Sequence, residues 1–242
     1  VQGFVAGVNA ALKLQGKEPL ILTRDTSYIG ILIDDLVTKG TREPYRIMTS
    51  RSEYRLLHRQ DNADARLTAI GARIGLVSEE RRKQVEEKYD SVRREIVRLE
   101  KTGVAESPEL NRMLESRGSA PVSGSVRLAD LLRRPELSYG DLAPFDENRP
   151  ELPDSVGEEV QIQLKYAGYL TRQERQVAEF RREEGRLLPE SLDYNAIGGL
   201  RLEARQKLSE IRPLSLGQAG RISGVSPADL AVLMIWLEQN GC

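Results

Sequence analysis

The stretch Ser78–Lys101, SEERRKQVEEKYDSVRREIVRLEK, predicts one long helix. Its apolar side chains recur at alternating steps of four and three, the spacing of a helix that buries one narrow seam: Val85, Tyr89, Val92, Ile96 and Leu99. Ser78 can cap the start of this helix, and Gly103 is expected to stop it. The other positions are mostly Lys, Arg and Glu, as on a solvated face of a bundle helix.

Similar patterns predict helices along most of the chain. Apolar and small residues share faces over residues 1–14, Ser107-Pro108 is a typical helix start, and Asp154 precedes a long run that Gly168-Tyr169 is expected to interrupt. Shorter helices are predicted at Leu128–Leu132, Leu202–Leu208, Ser215–Ile222 and Pro227–Leu237. The chain is therefore predicted to be mainly α-helical and to end in a compact helical bundle.

The composition limits the classes of function. Of the 242 residues, 39% are hydrophobic, which is enough for a sizeable core, and 30% are charged, as in helix-rich proteins. The formal net charge of −1 provides no long-range attraction for a polyanion. Any binding of nucleic acid must therefore depend on a local basic face.

The one cysteine, Cys242, is the last residue, which argues against a disulfide framework or a thiolate metal site and predicts a reducing, cytoplasmic location. No apolar run approaches the roughly 20 residues that cross a bilayer. Because the chain begins without Met inside a small-residue helix, we expect a longer natural protein.

A local basic face is predicted at Glu43–Asp64, EPYRIMTSRSEYRLLHRQDNAD. Between Lys39 and Arg66 there are seven Lys or Arg residues and four Asp or Glu residues. The sequence Ser50-Arg51-Ser52-Glu53 has the form of a capping box, so a helix is expected to begin at Arg51. That helix would align Arg51, Arg55 and Arg59 on one face, while Tyr54 and Leu57 anchor another.

Two interpretations of this arginine row stay open. Guanidinium groups spaced about 6 Å apart match the phosphates of a nucleic-acid backbone. Alternatively, the arginines pair internally with Glu53, Asp61 and Asp64. The lone histidine, His58, is more typical of a surface or half-packed residue than of a general base, because a base needs an orienting partner.

Motifs for self-contained chemistry are absent from the sequence. There is no G-x-G-x-x-G, Walker loop or paired histidine, so neither a catalytic residue nor a metal site is predicted. Near the end of the chain, Leu230, Leu233 and Leu237 can form an apolar surface for a partner helix. The preceding turn, Ile222–Pro227, resembles a phosphate-binding helix-hairpin-helix turn only loosely.

Four stretches resemble the GidA/MnmG family, which comprises tRNA uridine 5-carboxymethylaminomethyl modification enzymes. They span both ends of the chain: QGFVAGVNAAL at 2–12, YIGILIDDLVTKGTREPYRIMTSRSEYRLLHRQDNADARLT at 28–68, KYAGYLTRQ at 165–173, and IRPLSLGQAGRISGVSPADLAVLMIWL at 211–237. This chain departs from the usual family pattern at His58, commonly aliphatic, and at Gly220, commonly Ser.

The resemblance implies the end of an FAD-binding α/β domain at 1–75, a helical region at 76–153, and a C-terminal helical domain at 154–242 that binds tRNA and a partner. It implies that Gln2 and Gly3 complete a flavin-contacting helix. Five arginines are implied to contact tRNA: Arg46, Arg51, Arg55, Arg59 and Arg66.

The resemblance also implies partners and chemistry beyond these residues. NADH would reduce the flavin, and a GTPase of the MnmE family would bind the C-terminal helices, including Leu230, Leu233 and Leu237. The enzyme would form a homodimer within a heterotetramer. Because the catalytic part lies elsewhere, this chain alone is expected to be inactive.

Overall fold

The computed structural model of the chain describes residues 1–40 and 44–240. Over these residues it contains ten α-helices and one antiparallel two-stranded sheet, which confirms the expected mainly α fold. The predictions made for Cys242 and for Glu43, the first residue of the arginine-rich stretch, lie outside the described residues. The chain divides into two compact units: unit 1 is Val1–His58 with Arg172–Cys242, and unit 2 is Arg59–Thr171.

Along the chain, the elements are α1 (Gln2–Leu14), α2 (Tyr28–Thr38), α3 (Ala63–Arg73), α4 (Glu79–Lys101), β1 (Gly103–Val104), α5 (Pro108–Ser116), β2 (Val126–Arg127), α6 (Leu128–Leu132), α7 (Asp154–Glu184), α8 (Leu202–Ile211), α9 (Leu216–Arg221) and α10 (Pro227–Gln239). Short 3-10 turns occupy Thr49–Arg51 and Gly140–Phe145. Within the described ranges, no helix combines the length and the apolarity needed to cross a membrane.

Helix α4 organises the core of unit 2. Ser78 caps it as predicted, its hydroxyl accepting a hydrogen bond from the Arg81 amide at 3.2 Å. Three residues of the predicted seam, spaced seven positions apart along the chain, are buried: Val85, Val92 and Leu99. The last two belong to a core built with leucines of α5, α6 and the first part of α7. The narrow apolar seam is therefore the face that packs, as its spacing predicted.

The sheet of unit 2 was not predicted. Gly103 pairs with Arg127, and Val104 pairs with Val126, so the residue expected to stop α4 begins a strand directly after the Thr102 cap. Two-residue strands are too short to leave a periodic signal.

Helix α7 runs without interruption through Gly168-Tyr169, so the predicted break is wrong. A single glycine costs a helix only about 1 kcal/mol relative to alanine. Leu164 before it and Val177 after it are both buried, and such packing outweighs that cost.

Helices α8, α9 and α10 form the core of unit 1 together with the loop that precedes α8. Helix α10 begins with a reciprocal capping box: the Ser226 hydroxyl accepts from the Asp229 amide at 3.3 Å, and the Asp229 carboxylate accepts from the Ser226 amide at 2.8 Å. The three predicted C-terminal helices are confirmed, and the first and last each extend by two to three residues.

Candidate nucleic-acid interface

The loop before α2 places one arginine inside unit 1. Ser27 caps α2, accepting from the Gly30 amide at 3.0 Å. A Cβ on Gly30 would lie 2.1 Å from the Thr23 carbonyl oxygen, so only glycine allows this loop to cross the start of the helix. Arg24 of the loop is 2% exposed as a result.

The Arg24 guanidinium connects α2 to the arginine-rich segment. It donates to Asp35 at 2.7 Å, to Asp34 at 3.0 Å and to Glu53 at 2.6 Å. The nitrogen that donates to Glu53 also lies 3.5 Å from the Arg51 carbonyl oxygen. Burial opposes the charge of Arg24, but the hydrogen bonds to Glu53 and Asp35 outweigh it and raise the pKa of Arg24, so it stays charged.

Asp35 also accepts hydrogen bonds from Tyr45 of the arginine-rich segment and from Lys39 at the end of α2. The Tyr45 hydroxyl donates to it at 2.7 Å and the Lys39 ammonium at 2.9 Å. Although burial favours the neutral acid, these bonds and those of Arg24 lower the pKa of Asp35 to about 2. The Arg51 guanidinium stacks over the Tyr45 ring at 4.3 Å and lies 3.8 Å from Asp35.

The helix predicted to begin at Arg51 is absent. A 3-10 turn covers Thr49–Arg51, Ser52 is extended, and turns follow. The Ser52 hydroxyl hydrogen-bonds the His58 Nδ1 atom at 3.2 Å, and the Glu53 carboxylate pairs with Arg24. Of the two side chains of the predicted capping box, Ser50 and Glu53, the acid therefore pairs with Arg24, because a buried charged donor outcompetes a backbone amide for it.

Tyr54 and His58 fix the segment to unit 1. Tyr54 is buried with its ring edge-on to Phe180, the centroids 5.8 Å apart, so it anchors the segment as predicted. His58 is also buried, with its ring edge-on to Tyr28 and Tyr54 at 5.6 and 6.4 Å. The position that is commonly aliphatic in the resembled family thus has a packed histidine rather than a surface one.

The five predicted tRNA-binding arginines differ in how free they are. Arg46 and Arg55 are exposed, and neither has a hydrogen bond or ion pair with another described residue. Arg51 is shared with Tyr45 and Asp35. All three belong to unit 1.

The other two predicted arginines belong to unit 2 and are engaged there. Arg59 pairs with Asp61 at 2.8 Å, and Arg66 donates to the Asn62 side chain at 3.0 Å and to the Arg59 carbonyl at 3.1 Å. Asp64 instead accepts from Lys88 and Tyr89 of α4. Within the predicted arginine row, Arg59 pairs internally with Asp61 as the second interpretation expected, whereas Arg55 is exposed. Contact of the five arginines with tRNA stays a prediction.

Gln2 and Gly3 lie on an exposed face of α1. Ala6 and Ala10 are also exposed, and no other atom lies within 4 Å of where a Cβ on Gly3 or Gly7 would sit. The face is therefore a narrow open strip.

Leu233 and Leu237 of α10 are buried in the core of unit 1, at 0% and 4% exposed. Leu230 is half-buried and packs against that core, in the space that a Ser side chain at Gly220 would need: a Cβ there would lie 2.9 Å from the Leu230 Cδ1 atom. Ile235 is the exposed large apolar side chain of α10, at 55%. Binding of a partner by α10 stays a prediction.

Two family models match the chain on either side of residue 175. The tRNA modifying enzyme MnmG/GidA C-terminal helical domain matches residues 79–174, and the MnmG/GidA C-terminal helical bundle matches residues 176–241. The chain belongs to the MnmG/GidA family.

Relatives in the MnmG/GidA family match over nearly the whole chain. The tRNA uridine 5-carboxymethylaminomethyl modification enzyme MnmG of Caldicellulosiruptor saccharolyticus is 58% identical over 98% of the chain, and that of Lachnoclostridium phytofermentans is 55% identical over the same share. The chain spans 38% of the length of each. A solved structure of Aquifex aeolicus GidA superimposes with a TM-score of 0.83 at 40% identity, covering 98% of this chain and 37% of that one.

The residues that contact the arginine-rich segment from α2 and the loop before it were missed from the sequence: Arg24 and Asp35, with Asp34 bound to Arg24. A usable signal was present, because Asp34 and Asp35 are adjacent acids in an otherwise apolar helix and such acids need buried partners. In the described part of the chain, no group of three or more His, Cys, Asp or Glu side chains is arranged to hold a metal ion.

Proposed function

We propose that the full-length protein carrying this chain adds a carboxymethylaminomethyl or aminomethyl group to carbon 5 of the wobble uridine of tRNA. In this proposal the chain supplies surfaces that bind tRNA and a partner. The observation that carries the proposal is the pair of exposed arginines, Arg46 and Arg55, on a segment held by the buried Arg24. The activity named for the relatives in the family supports this substrate.

A segment held by side-chain contacts and carrying exposed guanidinium groups suits phosphate binding. The side chains of Glu53 and Tyr54 hold it, which reduces the conformational freedom lost when a ligand binds. Each phosphate contact contributes about 1.5–3 kcal/mol when partly desolvated. Arg51 adds a third positive charge beside Tyr45, whereas Arg59 already has an internal partner and contributes less.

Titration of tRNA against the full-length protein tests this proposal. Arg46→Ala and Arg55→Ala are each expected to raise the Kd about tenfold and to reduce the slope of log K against log salt by about one. The matched control is Arg81→Ala, which removes an exposed arginine of α4 whose side chain forms no ion pair within the described residues. Unchanged binding by the Arg46→Ala/Arg55→Ala double variant would exclude phosphate contact by this segment.

FAD would be held mostly by residues outside this chain, with α1 as the local contact. The open strip at Gly3, Ala6 and Gly7 fits the close approach of a flat group, since a larger side chain there would fill it. When bound and reduced by NADH, the flavin supplies the redox chemistry. The residues of this chain would only shape one wall, with Gln2 able to donate and accept hydrogen bonds at its edge.

A GTPase of the MnmE family is the proposed partner, in a complex built on a homodimer in the cytoplasm. The alternative is that the chain only docks this GTPase and makes no RNA contact. Ile235→Lys on α10 tests the docking surface, with Leu202→Lys on α8 as a control of similar exposure. Equal recovery of the GTPase with both variants would exclude α10, and normal tRNA binding by the arginine double variant would favour the alternative.

A further inference from the structure

Arg221, the last residue of α9, connects the C-terminal helices of unit 1 to α2. Two of its nitrogens donate to the two Asp34 carboxylate oxygens, both at 2.8 Å. A third nitrogen donates to Glu184 at 2.5 Å. The guanidinium also lies over the Phe180 ring at 5.3 Å, and its side chain is 16% exposed.

Asp34 links Arg221 to the arginine-rich segment through Arg24. Its carboxylate accepts from Arg24 at 3.0 Å, and Arg24 in turn holds Glu53 at 2.6 Å. We call Arg221, Asp34, Arg24 and Glu53 the ion chain. It joins α9 to a residue that lies two positions before Arg55.

The Arg221 end of the ion chain is also held by hydrogen bonds. Glu184 at the end of α7 accepts from the Ser215 hydroxyl at 3.0 Å, and Ser215 caps α9 by accepting from the Gln218 amide at 3.1 Å. Helix α9 is therefore held at its first turn and at its last residue. A movement of α9 would therefore shift the Arg221 guanidinium and, with it, the Asp34 carboxylate that it binds through two oxygens.

The ion pairs of the ion chain share their charged groups. Arg24 forms ion pairs with three carboxylates: Asp34, Asp35 and Glu53. Arg221 supplies the second positive charge on Asp34. Without it, Arg24 becomes the main cation facing Asp34, and its hydrogen bond to Glu53 is weakened. The reason is that Asp34, 11% exposed, costs more when left unpaired than Glu53, 48% exposed.

From this geometry we infer that Arg221 is a positioning residue for the tRNA-facing arginines: it orients the segment 44–58 through Asp34 and Arg24 without itself contacting tRNA. The functional part of this inference rests on the proposed function. It follows that a partner that displaces α9 alters the affinity for tRNA through the ion chain.

Hydrogen exchange of the full-length protein separates this inference from the proposed function. Arg221→Met is expected to raise the exchange rate of the backbone amides in 44–58 about tenfold. Arg221→Lys keeps the charge but cannot donate to both Asp34 oxygens in the same way, so a smaller rise is expected. The matched control is Arg201→Met. Arg201 donates to Asp229 at 2.6 Å, and this pair lies within the C-terminal helices, away from Asp34 and Arg24 in the sequence. That control is expected to leave exchange in 44–58 unchanged.

The same variants are titrated with tRNA beside Arg55→Ala. Arg221→Met is expected to weaken binding about as much as Arg55→Ala, roughly tenfold, and Arg201→Met is expected to leave it unchanged. If Arg221→Met does not fold, Arg221→Lys and Asp34→Asn provide the same comparison.

Three results would overturn the inference: unchanged exchange in 44–58 for Arg221→Met, an equal rise for Arg201→Met, or faster exchange with normal tRNA affinity while Arg55→Ala binds weakly. A different pattern would refute the proposed function alone. That pattern is faster exchange in Arg221→Met with normal tRNA binding by both Arg221→Met and Arg55→Ala.

Discussion

The Arg59 guanidinium donates to both carboxylate oxygens of Asp61, at 3.1 Å from Nε to Oδ1 and 2.8 Å from Nη2 to Oδ2. It also lies 5.7 Å from the Tyr166 ring centroid and 4.0 Å from the buried Glu159. Arg59 is therefore part of the internal structure of unit 2, unlike the exposed Arg55 of unit 1.

This difference predicts that the two arginines contribute unequally to the free energy of unfolding. Arg59→Ala is expected to lower the free energy of unfolding by about 1 kcal/mol, because a partly buried pair with ideal two-oxygen geometry is lost. Arg55→Ala is expected to change it by less than about 0.5 kcal/mol. Urea unfolding measures both, and equal destabilisation would show that Arg55 has a structural role.

Asp35 is expected to make stability depend on pH under acid conditions. Its pKa is about 2 in the folded chain against 3.8 ordinarily, so its contribution is complete above about pH 4 and is lost as the pH falls towards 2. The pKa difference corresponds to about 2 kcal/mol. Asp35→Asn is therefore expected to be destabilised at pH 6, with the deficit shrinking towards pH 3.

Urea unfolding at several pH values between 6 and 3 checks the Asp35 prediction. Asp90→Asn is a suitable control, because Asp90 is exposed on α4 and pairs only with its helical neighbour Arg93 among the described residues. A deficit for Asp35→Asn that stays constant over this range would contradict the prediction.

Glu159 is expected to show the reverse dependence. It is 3% exposed, accepts a hydrogen bond from Gln163 at 2.9 Å, and burial raises its pKa. A carboxyl group with a raised folded pKa costs stability as the pH rises through that pKa. Glu159→Gln, which keeps the shape and the acceptor, is therefore expected to be more stable than the parent protein at pH 7 and equal to it below about pH 4.

Thermal unfolding of Glu159→Gln and of the exposed neighbour Glu158→Gln tests this expectation. The control is expected to change little at any pH. A less stable Glu159→Gln at pH 7 would show that attraction to Arg59, 4.0 Å away, outweighs the cost of burying the charge.

Leu131 of α6 is fully buried in the core of unit 2. Leu131→Ala is expected to cost about 2–5 kcal/mol, because the surrounding helices close only part of the cavity. Leu76→Ala removes the same atoms from an exposed position and is expected to cost less than about 0.5 kcal/mol. Similar midpoints in urea unfolding for the two variants would refute this account of the core.

Much of the helical fold was predictable because its signals are local. The four-three spacing from Val85 to Leu99 identified both α4 and the face that packs, and Ser78 identified its first turn. The caps at Ser215 and Ser226 likewise form within a few residues along the chain. Such hydrogen bonds need no distant partner, so the sequence alone specifies them.

The candidate site was predicted less well because its partners are distant in sequence. The predicted capping box at Ser50–Glu53 failed since Glu53 binds Arg24, 29 residues away. The arginine row appeared uniform, yet Asp61 engages Arg59 whereas Arg55 is left exposed. Leu233 and Leu237 appeared available to a partner, but α8 and α9 fold against them.

The sequence by itself determined that the chain is helical, where most helices begin, and which face of α4 is buried, since helix periodicity and capping act over one or two turns. Only the tertiary structure decided which charges are free. A half-buried carboxylate such as Asp34 is stabilised by cations, and the two that pair with it among the described residues, Arg24 and Arg221, come from positions 10 and 187 residues away. Pairing of that kind depends on distance in space and on exclusion of water, which spacing along the chain does not specify.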